Sequence, residues 1–280
     1  MELESNMRIF ISCDIEGIGC VVRPENSSIP GRDYGLARRL MTGEVNAAIQ
    51  GAFEAGAERV LVADSHNVGL NLLPEELDER AEIIMGSPRP LAMMEGVDQG
   101  FDAAFLVGYH AKPDTADGVL VHNFHSRISD CRLNGLSVGE LGLNAALAGL
   151  FGVPVALVTG DAAVTEEAAA LLPGVETVAV KKGIGAYAAR CLHPAVCRGR
   201  IRDGARLALG KLGVLKPWLP DQPTGLELDA ATAGAADQLE RIPGLKRAGP
   251  LTLKSDPAPF RLIFDIFHLA VDLVDRAPSV

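Results

Sequence analysis

The segment RIFISCDIEGIGC, residues 8–20, sets a pattern that much of the chain repeats. Its first part, Arg8 to Cys13, is a short β-branched and apolar run. The run stops at an acidic, glycine-rich stretch, Asp14 to Cys20. An apolar run that ends at such a stretch is typical of a buried strand followed by a loop. We therefore predict a strand over 8–13 whose carboxyl end carries Asp14 and Glu16.

Strand-like and helix-like runs alternate after this segment. Apolar residues at helical spacing cover 34–57, with Gly56 as the stop signal. The predicted strands are Arg59–Ala63, a weaker Ile83–Met85, Ala103–Val107, Val119–Val121 and Val153–Thr159, and a further helix is predicted over Val138–Phe151. This alternation predicts an α/β fold with a mostly parallel sheet flanked by helices. In such sheets, ligands bind at the carboxyl ends of the strands.

The pattern changes from about Leu215, where prolines interrupt the chain. Short β-like runs at 225–228 and 251–254 flank a weakly helical segment at 231–239, and an amphipathic helix is predicted over Phe260–Val274. We therefore divide the chain into a larger α/β domain, residues 1–214, and a smaller C-terminal α+β portion with the amphipathic helix, residues 215–280.

Composition excludes several classes of protein. The chain has 280 residues, 48% of them apolar and 22% charged, with a net charge of −10. Disorder and collagen-like folds are excluded, and the acidic balance opposes binding to nucleic acid or to an anionic membrane surface. No run reaches the ~20 apolar residues of a membrane span. The acidic start MELESNMRIF does not read as a secretory signal, and five cysteines without a CxxC pair indicate a reducing cytoplasm.

Candidate metal ligands follow three of the predicted strands. Asp14 and Glu16 follow the first strand, Asp64 and His66 follow the second, and His110 follows the third. If these strands are parallel neighbours, their carboxyl ends bring the side chains into one pocket. Mixed histidine and carboxylate ligands suit zinc or a similar divalent ion, and one carboxylate can bridge two ions ~3.5–4 Å apart. Asp14 is the natural bridge.

Each of these residues also has a purely structural explanation. Asp14 and Glu16 suit a turn, and Asp64 suits a helix cap. Ser137-x-x-Glu140 before an apolar helix is a capping box, which by itself would explain the glutamate. The joint pattern at three strand ends nevertheless favours a metal site.

The remaining histidines differ in their expected roles. His122 and His125, in VHNFHS, are candidates for a general base, because an imidazole titrates near neutral pH. Their spacing does not choose between them. His193 and His268 lie far from the predicted strand ends in sequence, and we expect both to be structural.

Six short motifs occur in an order that resembles the zinc-dependent D-aminopeptidase family of bacterial dipeptide-transport operons. They are DIEG (14–17), MTGEVNAAI (41–49), ADSHN (63–67), MEGVD (94–98), GYHA (108–111) and GELGLNA (139–145). The resemblance implies two zinc ions per subunit, with ligands Asp14, Glu16, His66, His110 and Glu140. It also implies that His122 is the catalytic histidine and His125 a bystander.

The function implied by the resemblance is hydrolysis of short peptides that carry an N-terminal D-amino acid such as D-alanine. It further implies a homodecamer of two stacked five-membered rings. Two alternatives are a dimetal hydrolase of another amide or a phosphoester, and a non-catalytic, metal-stabilised ring or binding protein. The lack of a clear Arg or Lys cluster beside the ligands weakens the phosphoester alternative. The presence of all five ligands argues against the non-catalytic ring or binding protein.

Overall fold

The computed structural model describes residues 7–29 and 31–274. The strands of this part are β1 (Met7–Cys13), β2 (Ala57–Asp64), β3 (Glu82–Ile84), β4 (Ala103–Tyr109), β5 (Ile128–Leu133), β6 (Leu136–Ser137), β7 (Val155–Asp161), β8 (Glu176–Gly185), β9 (Ala188–Cys191), β10 (Leu226–Ala230), β11 (Leu245–Arg247) and β12 (Thr252–Ser255). The α-helices are α1 (Pro24–Ser27), α2 (Tyr34–Glu54), α3 (Glu140–Leu150), α4 (Ala162–Leu171), α5 (Pro194–Leu209), α6 (Ala233–Leu239) and α7 (Phe260–Val274). None of these helices is both long and apolar enough to cross a membrane.

The first sheet has seven strands in the order β3-β2-β1-β4-β7-β8-β9. Its neighbours are parallel except for the β8–β9 hairpin. The chain moves outward from β1 to β2 and β3, then returns to place β4 on the other side of β1. This reversal is a topological switch point, where the loops after β1 and β4 diverge and leave a crevice. The predicted mostly parallel α/β sheet is confirmed.

Helices cover both faces of this sheet, and β1 shows how its residues are divided between them. Ile9, Ile11 and Cys13 belong to the apolar core under α2 and α5, whereas Phe10 belongs to the core on the side of α3 and α7. This alternation follows from the two-residue period of a strand. Ser12 shares the side of Phe10, which places a buried hydroxyl beneath the crevice.

Several predicted boundaries agree closely with the structure. Helix α7 has the predicted bounds, and α2 begins at the predicted Tyr34 and ends at Glu54. Gly56 follows α2 with a φ of +96°, a left-handed conformation that glycine adopts without a steric penalty.

The predicted strand at Val119–Val121 is wrong. These residues form a buried loop that crosses the carboxyl edge of the first sheet, and Leu120 has a φ of +57°. The Val119 N–H donates to Asp161 Oδ2 at 2.7 Å, and the Leu120 N–H donates to Ala186 O at 3.0 Å. The apolar run is therefore buried by tertiary packing and not by strand pairing.

The second sheet has the order β11-β12-β10-β5-β6 and is antiparallel. The C-terminal strand β10 pairs with β5, which precedes it by more than 80 residues, and β12 and β11 extend the sheet on the other side of β10. The smaller α+β portion is present, and it takes in residues 128–137 through the pairing of β10 with β5. The division after residue 214 stays a prediction.

Candidate metal centre

The carboxyl ends of β1, β2 and β4 bring the predicted ligands together. Asp14 and Glu16 follow β1, His66 follows β2 and His110 follows β4, while Glu140 is the first residue of α3. The carboxylates and His110 are each at most 5% exposed. Because β1 lies between β2 and β4, Asp14 lies between the two histidines that follow its neighbours.

Three histidines share one arrangement, in which one ring nitrogen contacts a backbone carbonyl. The contacts are His66 Nε2 to Ser27 O at 2.6 Å, His110 Nδ1 to Ala111 O at 3.0 Å and His122 Nδ1 to Leu120 O at 2.8 Å. A carbonyl only accepts, so each of these nitrogens carries the proton. In the neutral ring the other nitrogen has a lone pair that can bind a metal. Histidines that bind metals are held in this way.

The free nitrogens face the three buried carboxylates. His66 Nδ1 lies 3.2 Å from Asp14 Oδ1 and 3.0 Å from Glu16 Oε2. His110 Nε2 lies 3.6 Å from Asp14 Oδ2 and 3.4 Å from Glu140 Oε1. His122 Nε2 lies 3.6 Å from Glu140 Oε1. The two oxygens of Asp14 therefore face different histidines. His110 and His122 also stack, with ring centroids 4.2 Å apart.

This cluster has the charge and the free atoms that a divalent cation requires. Asp14 Oδ2, Glu16 Oε2 and His110 Nε2 are buried and have no hydrogen-bond partner. Burial and the neighbouring Glu16 carboxylate raise the pKa of Asp14 to about 7. Buried carboxylates this close together are stable only when a proton or a cation balances their charge.

Two groups of ligand atoms in the described chain could each hold an ion. One group is Asp14, Glu16 and His110, and the other is His110, His122 and Glu140, with the atoms of each group within 4.8 Å of one another. The groups share His110. Nitrogen and carboxylate donors of this kind suit zinc. His122, predicted to be catalytic, thus lies beside the predicted ligands.

The loop after β1 is held from two sides. Gly17 approaches β4 so closely that a Cβ atom would lie 1.9 Å from Tyr109 O, so a side chain there would displace the loop. From β8, the buried Lys181 ammonium donates to the carbonyls of Glu16, Ile18 and Val21. Backbone carbonyls that bind one buried cation fix the path of the loop, and with it the positions of the Asp14 and Glu16 carboxylates.

A network of buried hydroxyls lies behind the ligands. Asn144 Nδ2 donates to the Tyr109 hydroxyl at 2.9 Å, and the Tyr109 and Ser12 oxygens are 2.7 Å apart. Ser12 is also 2.9 Å from the Ser65 hydroxyl, and both serines are within hydrogen-bond distance of Met93 O. We call Ser12, Ser65, Tyr109, Asn144 and Met93 O the hydroxyl network. Its members come from the same elements as the ligands: Ser65 and Tyr109 directly precede His66 and His110, and Asn144 is one helical turn after Glu140.

The ligands open into a cavity of about 620 Å³. Residues from distant parts of the chain complete its walls, among them Arg89, Phe124, His125, His268 and Asp272. His268 was predicted to be structural and remote, but α7 packs against α3 and brings it to the cavity. Sequence spacing carries no signal for this contact, because α7 follows the ligands by more than 100 residues.

Three other candidate residues have structural roles. Ser137 does not cap α3, because Gly139 is the N-cap residue and the Ser137 hydroxyl donates to Asp130. Asp64 is not in either ligand group. It accepts hydrogen bonds from the backbone of Asn71 and Leu72 and shapes the loop that carries His66. His193 is structural as predicted, because its Nδ1 accepts from Ala195 N at the start of α5.

The chain is similar to known proteins over most of its length. The D-aminopeptidase family profile matches residues 7–269. This chain belongs to the D-aminopeptidase family. A D-aminopeptidase of Bacillus subtilis (strain 168) is 36% identical over 251 residues, which cover 89% of this chain and 90% of that protein. The family fold is also the fold of a solved structure, the Zn-dependent D-aminopeptidase DppA from Bacillus subtilis, described as a self-compartmentalizing protease. That structure has a TM-score of 0.95 and 33% identity, covering 98% of this chain and 100% of the other.

Proposed function

We propose that this protein is a zinc-dependent aminopeptidase that hydrolyses short peptides with an N-terminal D-amino acid such as D-alanine. The observation that carries the proposal is the set of three histidines whose free nitrogens face three buried carboxylates inside a cavity. Membership of the D-aminopeptidase family and the zinc dependence of the similar solved structure support it.

We assign Asp14, Glu16, His66, His110 and Glu140 as ligands of two zinc ions per chain. The two ligand groups and the unsatisfied atoms of Asp14, Glu16 and His110 support four of these ligands. His66 is in neither group, and its assignment is supported by the contacts of its Nδ1 with Asp14 and Glu16. When bound, zinc polarises a substrate carbonyl and lowers the pKa of a bound water towards ~7.

His122 is the residue that moves protons in this proposal. Its Nδ1–H is held by Leu120 O, so its Nε2 is free to accept a proton on the cavity side. Burial lowers the pKa of His122, which favours its neutral form. Stacking on His110 restrains the rotation of its ring. A positioned neutral imidazole of this kind can act as a general base.

Selectivity for D-residues requires the amine, the Cα substituent and the carbonyl of the substrate to be held at three points. Phe124 is a wall that can supply one of them. Its backbone N–H donates to Glu140 Oε1 at 2.6 Å, and its ring packs edge-on against Phe267 of α7 with centroids 5.1 Å apart. The ring is thereby held in a fixed position relative to a predicted metal ligand.

Assembly and location follow as further parts of the proposal. We infer a homo-oligomer from the self-compartmentalizing relative and from exposed apolar side chains such as Ile184 and Tyr187 at the β8–β9 hairpin. The resemblance of the sequence motifs implies that this oligomer is a decamer. Ten chains of 29.5 kDa have a mass of about 295 kDa, which sedimentation can measure. The five unpaired cysteines suit a reducing cytoplasm.

The test is a panel of dipeptides with the zinc-loaded protein. We expect kcat/KM for D-Ala-D-Ala to exceed that for L-Ala-L-Ala by at least ~10²-fold. A chelator should abolish the activity and added zinc should restore it. Equal hydrolysis of the two dipeptides would refute the D-selective part alone. Cleavage of a phosphoester without cleavage of any peptide would refute the proposal that the protein is an aminopeptidase.

A further inference from the structure

Arg89 is a charged residue of the cavity wall that the proposed chemistry does not use. Among the cavity-lining residues of the described chain it is the one arginine or lysine. Its Nη2 donates to Asp64 O at 2.7 Å, while its Nη1 is buried and has no hydrogen-bond partner. Within residues 7–29 and 31–274 no carboxylate is close enough to it for an ion pair, and the charges of Asp64 and Glu95 act on it from a greater distance.

An arginine in this state is prepared to bind an anion. A buried donor without a partner is unfavourable, and a charged hydrogen bond to it is worth more than a neutral one. Nη1 has already lost its water, so a carboxylate that reaches it after a rotation of the guanidinium gains that bond without a further desolvation cost for the donor. The bond from Nη2 to Asp64 O keeps the side chain at the cavity wall, which lowers the entropy lost on binding.

The position of Arg89 relative to the metal ligands limits the length of such a ligand. Asp64 precedes His66 by two residues, which span at most about 7 Å, so the guanidinium is within about 10 Å of the His66 backbone. In a dipeptide, three bonds separate the scissile carbonyl carbon from the C-terminal carboxylate carbon, a distance of about 4 Å at most. Arg89 and His66 line the same cavity, and the C-terminal carboxylate of a dipeptide is the substrate anion nearest to the scissile bond.

We propose that Arg89 binds the free α-carboxylate of the substrate and restricts the enzyme to very short peptides with an unblocked C-terminus. This inference rests on the proposed peptidase function. It differs from a purely structural role, in which Arg89 supports Asp64 O and has no effect on the choice between a substrate carboxylate and a substrate amide.

The experiment compares D-Ala-D-Ala with D-Ala-D-Ala amide, which lacks the negative charge but keeps the scissile bond. For the zinc-loaded wild-type protein we expect kcat/KM to be about 10- to 100-fold higher for the acid, mainly through a lower KM. In Arg89→Met, kcat/KM should fall far more for the acid than for the amide, so that the ratio of the two values approaches one. Arg89→Lys, which keeps the charge but not the planar fork, should retain an intermediate ratio.

The matched control is Arg261→Met. This substitution removes the same charge from a neighbouring position, because Arg261 Nη2 donates to Pro90 O. Arg261 itself is outside the cavity and pairs with Asp265. The acid-to-amide ratio should remain at the wild-type value in this variant.

The outcomes separate this inference from the function on which it rests. A wild-type ratio near one would overturn the role of Arg89 and leave the peptidase standing, and so would an unchanged ratio in a folded Arg89→Met. Failure to cleave either substrate would overturn both proposals. If Arg89→Met does not fold, the wild-type ratio and the Arg89→Lys ratio decide the question.

Discussion

Removal of one hydroxyl from the hydroxyl network tests whether it positions the metal ligands. In Tyr109→Phe the ring remains and the oxygen is lost, together with its contacts to Asn144 Nδ2 at 2.9 Å and Ser12 Oγ at 2.7 Å. Asn144 Nδ2 keeps only a contact to the Met93 sulfur, which is a weak acceptor. One buried donor left without a good partner costs about 1–3 kcal/mol, and the lost bond to Ser12 adds about 1 kcal/mol. We expect the free energy of unfolding to fall by about 2–4 kcal/mol.

The more informative effect is on metal binding. Tyr109 directly precedes His110, and Ser12 and Asn144 lie close in sequence to Asp14 and Glu140, so relaxation of the network should shift several ligands at once. Loss of outer hydrogen bonds around metal ligands typically lowers metal affinity 10–100-fold. Zinc affinity is measured by competition with a chromophoric chelator, and stability by urea unfolding of the metal-free protein at a fixed protein concentration.

Thr224→Val is the matched control. Thr224 is fully buried, and its hydroxyl contacts Asp221 O at 3.1 Å and Gln222 Nε2 at 2.7 Å, away from the cavity. In Thr224→Val the free energy of unfolding should fall by an amount of the same order, and the zinc affinity should remain that of the wild type. If Tyr109→Phe also binds zinc within about threefold of the wild type, the network stabilises the fold and does not position the ligands.

Three further predictions concern the site and its surroundings. His122→Ala should keep its zinc and lose on the order of 10²–10⁴ in turnover, while His125→Ala should lose far less; the opposite ranking of rates would show that the other histidine is catalytic. Asp14→Ala should lower the metal content of both sites, because the two cations lose the carboxylate between them, and elemental analysis that still finds two ions per folded chain would contradict the bridge. Burial raises the pKa of Glu44 from 4.5 to about 7, so the folded protein binds this proton more tightly than the unfolded chain does and loses stability as pH rises between these values. The free energy of unfolding of Glu44→Gln should therefore exceed that of the wild type by up to about 3 kcal/mol at pH 8 but by little at pH 4. Equal differences at both pH values in urea unfolding would refute titration of Glu44 as the cause.

Local sequence was sufficient for the parts of the molecule that depend on local periodicity. The run at residues 8–13 predicts β1, and the apolar spacing of residues 260–274 predicts α7 with its observed bounds. Ligand types could also be predicted, because Asp14, His66 and His110 each follow a recognisable strand. A buried strand and an amphipathic helix each impose a repeat on nearby residues, so a single sequence carries enough information to find them.

Only the tertiary structure decided how these pieces meet. The strand order places β1 between β2 and β4, and the pairing of β5 with β10 depends on residues more than 90 positions apart. Val119–Val121 has the apolar pattern of a strand but is buried as a loop, and Glu140 fits a capping motif that the helix does not use. His268 and Arg89 reach the cavity from distant elements. Long-range contacts of this kind depend on which faces pack together and which buried polar atoms find partners, and no short-range repeat in the chain encodes that choice.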